Sequence, residues 1–362
     1  MKILAVTGSS GGHIFPAVSF ISALKNRRKD INTLLVLPKR CLKAGITIPD
    51  CGVKYISTRP LSLKLSSENL ISSGRFIQGS FESLKIILGF KPDIVVGFGS
   101  LDSIPSLFFA WLFRIPAMIH EQNVLPGKAN RLLARLVDKA AISFPETKSY
   151  LKIDPQKIAL TGNPLRERLK IIDKKAALDF FGLSPDKFTV LVMGGSQGSR
   201  HLNAGFLKAA QLLKNTAMIQ VIHLAGRGDL EEIKGAYKKM NIAVRVFDFF
   251  NEMEQAYSAS DLVISRSGAT TIAELSYFRL PAILSPYPYA YSHQLENAKV
   301  LRDKGCAVII NDDELDRDTL GVALESIIAD RDKLKNMRSG FAGLAEFNSA
   351  DKLAEAALSL YK

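Results

Sequence analysis

Two glycine-rich runs carry the first chemical signal in this chain. Gly8-Ser9-Ser10-Gly11-Gly12 follows a short apolar run at 3–6 and leads into His13, and Gly194-Gly195-Ser196-Gln197-Gly198 follows a similar run at 190–193. The two stretches superpose at an offset of 187 residues. A glycine turn after a parallel strand lets the backbone approach a phosphate, while the next helix offers unpaired N–H groups and the positive end of its dipole. Neither run has the G-x-G-x-x-G spacing, and no G-x-x-x-x-G-K-[ST] occurs, which disfavours a nicotinamide cofactor or a P-loop for ATP. His13 falls at the start of a helix, where the dipole lowers an imidazole pKa and leaves a neutral base. Both features also have purely structural explanations, a tight strand-to-helix turn and an ordinary loop histidine. The five histidines include no HExxH pair, and Cys41, Cys51 and Cys306 form no CxxC, so neither a metal site nor a disulfide framework is expected.

These residues need a scaffold, and the hydrophobic pattern supplies one. Apolar runs at 3–6, 33–37, 94–96 and 117–120, then at 190–193, 220–224, 244–247, 262–265 and 282–285, alternate with longer amphipathic segments. Such alternation predicts βαβ units and parallel sheets. The fold class is α/β, with two Rossmann-like doubly wound domains facing a cleft at the carboxyl ends of their strands. The turn-forming Thr161-Gly162-Asn163-Pro164 divides an N-terminal domain (1–163) from a C-terminal one (164–340), with a helix predicted over 165–173. A terminal helix at about 341–362 follows, placed to pack back on the first domain.

A length of 362 residues suits two domains, and 47% apolar with 23% charged residues is an ordinary globular mix. The longest apolar stretch, 104–119, is broken by Pro105, Arg114 and Pro116, and the first residues lack a signal-peptide core, so a cytosolic chain with no membrane span is expected. The net charge of +13 is lopsided: residues 1–160 hold 22 Lys and Arg against 10 Asp and Glu, and the remainder 26 against 25. A basic first half attracts polyanions, whether nucleic acid or anionic lipid, or serves solubility alone.

Taken together, the motifs are recognisable. The first glycine run with His13-Ile14-Phe15-Pro16-Ala17, His120-Glu121-Gln122-Asn123, Thr161 to Arg166, the second glycine run, Ser265-Arg266-Ser267-Gly268-Ala269 and His293-Gln294-Leu295-Glu296-Asn297-Ala298 occur in this order over nearly the whole chain. The sequence closely resembles the MurG family of bacterial cell-wall N-acetylglucosaminyltransferases. That resemblance implies a glycosyltransferase B fold, no cofactor, and transfer of GlcNAc from UDP-GlcNAc to the muramoyl 4-hydroxyl of lipid I, giving lipid II and UDP. It implies that Ser10, Gly11 and Gly12 line the donor and acceptor face of the first loop, and that Asn123 reaches the transferred sugar. Arg166, with Ser196 and Gln197, lies near the donor phosphates, and Phe250 beside the uracil. The segment Ala269, Thr270, Thr271, Ile272 and Ala273 begins a helix whose amides take a phosphate, Glu274 accepts from the ribose diol, and Gln294 and Asn297 face the sugar. His13 is the candidate base. The structural alternatives are a helix cap for Asn123, a surface ion pair for Arg166, an exposed helical glutamate for Glu274 and core packing for Phe250. The first loop reads Gly-Ser-Ser where the family often has Gly-Gly-Thr.

The acceptor's polyprenyl tail implies work at the cytoplasmic face of the bacterial inner membrane. Phe76, Phe81, Leu84, Ile87, Leu88 and Phe90 recur at helical spacing among Arg75, Lys85 and Lys91, and Trp111-Leu112-Phe113-Arg114 adds a second group. Such a surface suits peripheral binding to anionic lipid, although a stripe packed on the sheet has the same spacing. Two other functions compete. A UDP-GlcNAc epimerase shares the fold but calls for carboxylates at the sugar carbon. A nucleic-acid binder would account for the charge but leaves the anion loops unexplained, so no nucleic-acid partner is expected.

Overall fold

The computed structural model describes residues 1–44, 51–58, 67–195, 198–226, 228–289, 293–344 and 348–361. The chain forms two compact units, Met1–Glu167 with Glu346–Lys362, and Arg168–Ala345. The first contains strands β1 (Lys2–Val6), β2 (Asn32–Pro38), β3 (Gly52–Ile56), β4 (Ile94–Gly97), β5 (Ala117–Glu121), β6 (Lys139–Ile142) and β7 (Ile158–Leu160). They form one sheet in the order β3-β2-β1-β4-β5-β6-β7, every pairing parallel. The second contains β8 (Phe188–Met193), β9 (Ile219–Leu224), β10 (Ala243–Phe247), β11 (Leu262–Ser265), β12 (Ala282–Leu284) and β13 (Ala307–Ile309). Its order is β10-β9-β8-β11-β12-β13, again parallel throughout.

The strands are near-continuous apolar runs because helices cover both faces of each sheet, which leaves β1, β4 and β8 with hardly an exposed side chain. Ile3 and Ala5 face one core layer of the first unit, Leu4 and Val6 the other, as the period of two requires. The helix Ser349–Leu358 belongs to the first unit: Leu353, Ala354 and Ala357 join the core beneath the helix Gly11–Arg27, and Arg27 pairs with Asp351 and Glu355. The expected helix over 165–173 does not form. Asp173 instead caps the helix Lys174–Phe181, its carboxylate accepting from the Ala176 amide at 3.1 Å, and the preceding residues run irregularly after Pro164.

In each sheet the chain winds outward in both directions from a central pair, β1 with β4 and β8 with β11. The carboxyl ends of such a pair are the topological switch point, where the loops diverge and leave a crevice for ligands. Both glycine runs begin there.

Candidate active site

In the first unit the loop after β1 packs against the loop after β4. Gly8 must be glycine, because a Cβ there would lie 2.6 Å from the Ser100 Cβ. Ser10 is the N-cap of the helix Gly11–Arg27, and its hydroxyl turns to the His13 ring, 2.8 Å from Nδ1, instead of capping the backbone. Gly11 and Gly12 are the first two residues of that helix, and His13 is the third. The His13 pKa is lowered chiefly by burial of the ring, with Glu121 and Asp102 pulling it back up. Loss of hydration, more than the helix dipole invoked from sequence, therefore accounts for a neutral imidazole.

Asp102 was not legible as a site residue. It is 1% exposed and accepts from the Thr58 hydroxyl at 2.5 Å, the Ser100 hydroxyl at 2.7 Å and the Arg40 guanidinium, whose Nε also donates to Ser9 Oγ at 2.8 Å. This cluster ties β2, β3 and both switch-point loops together. Ser100 has φ 69° and ψ 154°, a region almost reserved for glycine that costs on the order of 1–3 kcal/mol. The bond to Asp102 helps to hold that conformation.

At the end of β5, Glu121 is buried and organises the next turn. Its Oε1 accepts from the Asn123 backbone and side-chain amides at 2.9 and 3.2 Å, and its Oε2 from Gly127 N at 3.0 Å and Asn130 Nδ2 at 2.8 Å. Asn123 is thereby fixed in a turn, and Gly127, not Asn123, is the N-cap of the helix Lys128–Leu133. His120 is fully buried, with Nε2 3.1 Å from Gly162 O and Nδ1 3.1 Å from Gln122 Nε2, and burial lowers its pKa to about 4. Arg166 lies in this unit too, its guanidinium 4.9 Å from the Phe15 ring centre.

The second unit repeats the arrangement with different chemistry. Gly198 has φ 75°, and a Cβ there would lie 2.7 Å from Ala225 O, so the loop after β8 can take only glycine at that position. Ser196 and Gln197 lie outside the described residues. Ser199 caps the helix Arg200–Ala210 and accepts from the buried Arg266 at 2.8 Å. Arg266 also bonds Ser285 and forms an ion pair with Asp312, tying the glycine loop to the ends of β11 and β12.

Gly268 caps the helix Ala269–Phe278, so the amides of Ala269, Thr270 and Thr271 have no partner within the helix. Ile272 points into the core, and Ala273 is half-buried. Glu274 is 6% exposed, which removes the exposed-glutamate alternative, and its Oε2 accepts from the Tyr257 hydroxyl at 2.7 Å. Gln294 Oε1 accepts from the Ser267 and Tyr287 amides at 3.2 and 2.9 Å, and the buried Asn297 donates to Ser267 O at 3.3 Å. In the structure these two amides brace the turn before that helix. The half-buried Phe250 ring sits in an aromatic cluster, 4.8 Å from Phe247 and 5.4 Å from Phe181.

The proposed lipid-facing stripe is only partly at the surface. On the helix Ser67–Phe90, Phe81 and Leu88 are exposed, Phe76, Leu84 and Phe90 are half-buried, and Ile87 belongs to the core. Ile77, which the sequence reading passed over, is 58% exposed. The helix Ile104–Leu112 packs beside it and exposes Phe108, Trp111 and Leu112, with Phe113 following. Among the described residues no helix is long and apolar enough to cross a membrane.

Comparison with known proteins fits this geometry. The model of the glycosyltransferase family 28 N-terminal domain matches residues 3–142, and that of the family 28 C-terminal domain residues 189–354. The chain belongs to glycosyltransferase family 28. Within it the chain belongs with the MurG transferases: it is 34% identical over 366 residues, covering 100% of this chain and 99% of the relative, to the UDP-N-acetylglucosamine–N-acetylmuramyl-(pentapeptide) pyrophosphoryl-undecaprenol N-acetylglucosamine transferase of Thermodesulfovibrio yellowstonii. In fold it matches the crystal structure of Acinetobacter baumannii MurG, with a TM-score of 0.77 at 24% identity, over 99% of this chain and 100% of that one. It also matches UDP-GlcNAc 2-epimerase from Neisseria meningitidis, TM-score 0.68 at 15% identity over 99% and 100% of the two chains. That likeness is one of fold, and the epimerase alternative has no support at the level of family.

Proposed function

We infer that this protein is an inverting N-acetylglucosaminyltransferase that moves GlcNAc from UDP-GlcNAc to the muramoyl 4-hydroxyl of lipid I, releasing UDP and lipid II. The observation that carries the mechanism is His13, half-buried with its pKa lowered by that burial, and bonded to Ser10 at the switch point of the first unit. With Nδ1–H donating to Ser10 Oγ, Nε2 is the nitrogen that takes the acceptor hydroxyl proton as oxygen attacks the anomeric carbon. UDP departs from the opposite face. Its diphosphate charge is met by the amides at the start of the helix Ala269–Phe278 and by the second glycine loop, and Glu274 receives the ribose hydroxyls. Asn123, held by Glu121, supplies the contact to the transferred sugar in this reading. The test is direct: incubation with UDP-GlcNAc and a lipid I analogue should release UDP and form a disaccharide. His13→Ala should cut turnover by on the order of a hundredfold or more while leaving UDP affinity unchanged. Near-normal turnover in that variant would remove His13 from the mechanism.

The same reading places the enzyme at the cytoplasmic face of the inner membrane. Support comes from the apolar residues exposed on two packed helices, Ile77, Phe81, Trp111 and Leu112 among them, beside Arg75, Lys85 and Arg114, in the half of the chain that carries the positive excess. Apolar burial and attraction to anionic lipid then act together, each nearby cation adding about 1 kcal/mol.

A further inference from the structure

Two consecutive residues after β4 have positive φ, and they lie against the candidate base. Gly99 has φ 79°, and a Cβ built there would fall 3.3 Å from His13 Nε2 and 3.2 Å from its Cδ2. A Cβ on Gly8, in the loop after β1, would fall 3.2 Å from Nδ1 of the same ring. The imidazole is therefore flanked by the backbones of both switch-point loops, and the segment at 99–100 borders the edge that carries Nε2. Ser100 is the costly position in that segment. Its φ of 69° with ψ of 154° suits glycine, so a serine there relaxes toward an ordinary conformation unless its surroundings hold it.

Asp102 supplies such a hold, and it reaches both loops. Its Oδ2 accepts from the Ser100 hydroxyl at 2.7 Å, a charge-assisted bond. The Arg40 guanidinium donates to both Asp102 oxygens and, through Nε, to the Ser9 hydroxyl at 2.8 Å. Ser9 belongs to the first loop and precedes Ser10, whose hydroxyl meets His13 Nδ1. One buried carboxylate thus links the loop on the Nδ1 side of the imidazole to the loop on the Nε2 side. We propose that Asp102 is a positioning residue for proton transfer: it holds the backbone at 99–100 in its strained shape against His13, and so fixes where Nε2 meets the acceptor hydroxyl. The proposal rests on the reading of His13 as the base. It adds that the base is set in place from the loop after β4, through Ser100 and Arg40.

The test measures kcat, donor KM and UDP affinity of the full-length protein in three variants, each made in wild type and in His13→Ala. Asp102→Asn removes the carboxylate. Ser100→Ala keeps the carboxylate, its charge and its ion pair with Arg40, but deletes the serine bond while the backbone strain remains. Ser100→Gly deletes the bond and the strain together. In the presence of His13, Asp102→Asn and Ser100→Ala should each lower kcat about tenfold, the scale of a small misplacement of a reacting group, with donor KM and UDP affinity unchanged. Ser100→Gly should regain most of what Ser100→Ala loses. In the His13→Ala background, neither Asp102→Asn nor Ser100→Ala should lower the remaining turnover further, because the side chain they position is gone. Equal losses in both backgrounds, wild-type kcat in Ser100→Ala, or the same loss in Ser100→Ala and Ser100→Gly would overturn the proposal while the role of His13 stands. Should Asp102→Asn fail to fold, the two Ser100 variants decide the matter. If His13→Ala keeps near-normal turnover, His13 is not the base and the proposal falls with it.

Discussion

Glu121→Gln changes one oxygen to an amide in a buried carboxylate, and its effect can be worked from four distances. Each Glu121 oxygen accepts from two N–H groups: Oε1 from the two amides of Asn123, and Oε2 from Gly127 N and Asn130 Nδ2. Whichever way the glutamine amide is turned, its carbonyl satisfies one pair and its NH2 group confronts the other. Two donors are then left facing a donor. At about 1–3 kcal/mol for each buried group left unpaired, the cost is roughly 2–6 kcal/mol, and a flip of the Asn130 amide reduces it only by giving up the Asn130 bond to His120 O at 3.2 Å. The penalty falls on the turn at 123–127, which should open before the rest of the unit unfolds. Hydrogen exchange should quicken at whichever of the Asn123 and Gly127 amides faces the NH2 group, and kcat/KM should fall as the turn that carries Asn123 loosens. The urea midpoint should move by less than the full local cost. Unchanged protection at both amides, with a stability change under about 0.5 kcal/mol, would show that Glu121 does not organise this turn.

Two further outcomes follow from the site and the surface. His120 and His223 are neutral in the fold, with pKa values lowered by burial to about 4 and about 3, whereas an unfolded histidine titrates near 6.5. The unfolded chain therefore binds protons first. Stability is fully present above pH 6.5 and declines as pH falls toward those values, on the order of 1.4 kcal/mol per pH unit for each histidine; a urea midpoint that is flat between pH 7 and pH 5 contradicts this. At the surface, the protein should bind anionic vesicles reversibly and release them in salt, and Phe81→Ser combined with Lys85→Glu should weaken binding without altering the melting temperature. Equal binding to neutral vesicles, or full binding by the double variant, counts against the membrane role.

Sequence reasoning reached what depends on local pattern. A buried parallel strand is a continuous apolar run, and a glycine turn after it marks a helix start, so 3–13 and 190–200 were readable as strand, loop and helix. The partners of Asp102 were not readable, because Arg40 and Thr58 lie 62 and 44 residues away and meet it only where β2, β3 and the loop after β4 converge. The carboxylate of Glu121 was hidden for the opposite reason: its partners are near in sequence, but nothing in the letters says that the turn folds around it. The helix Ser67–Phe90 shows a third limit. It is apolar on more than one face, so periodicity could not tell Ile87, which enters the core, from Ile77, which does not.

The sequence offset between the two units separates what the fold supplies from what the side chains supply. At that spacing His13 of the first unit corresponds to Arg200 of the second, and both stand at the start of the helix after the first strand of a switch point. A guanidinium stays charged at any working pH and cannot accept a proton. Arg200 is in fact mostly exposed and paired with Asp229 at 2.8 Å. An imidazole at the same place, half-buried and bonded to Ser10, has its pKa lowered by burial and can accept one. The shared topology gives both units a helix N-terminus that favours anions. The base proposed above falls in the first unit, since the histidine at the start of the corresponding helix of the second, His201, is exposed and paired with Asp312 at 3.0 Å.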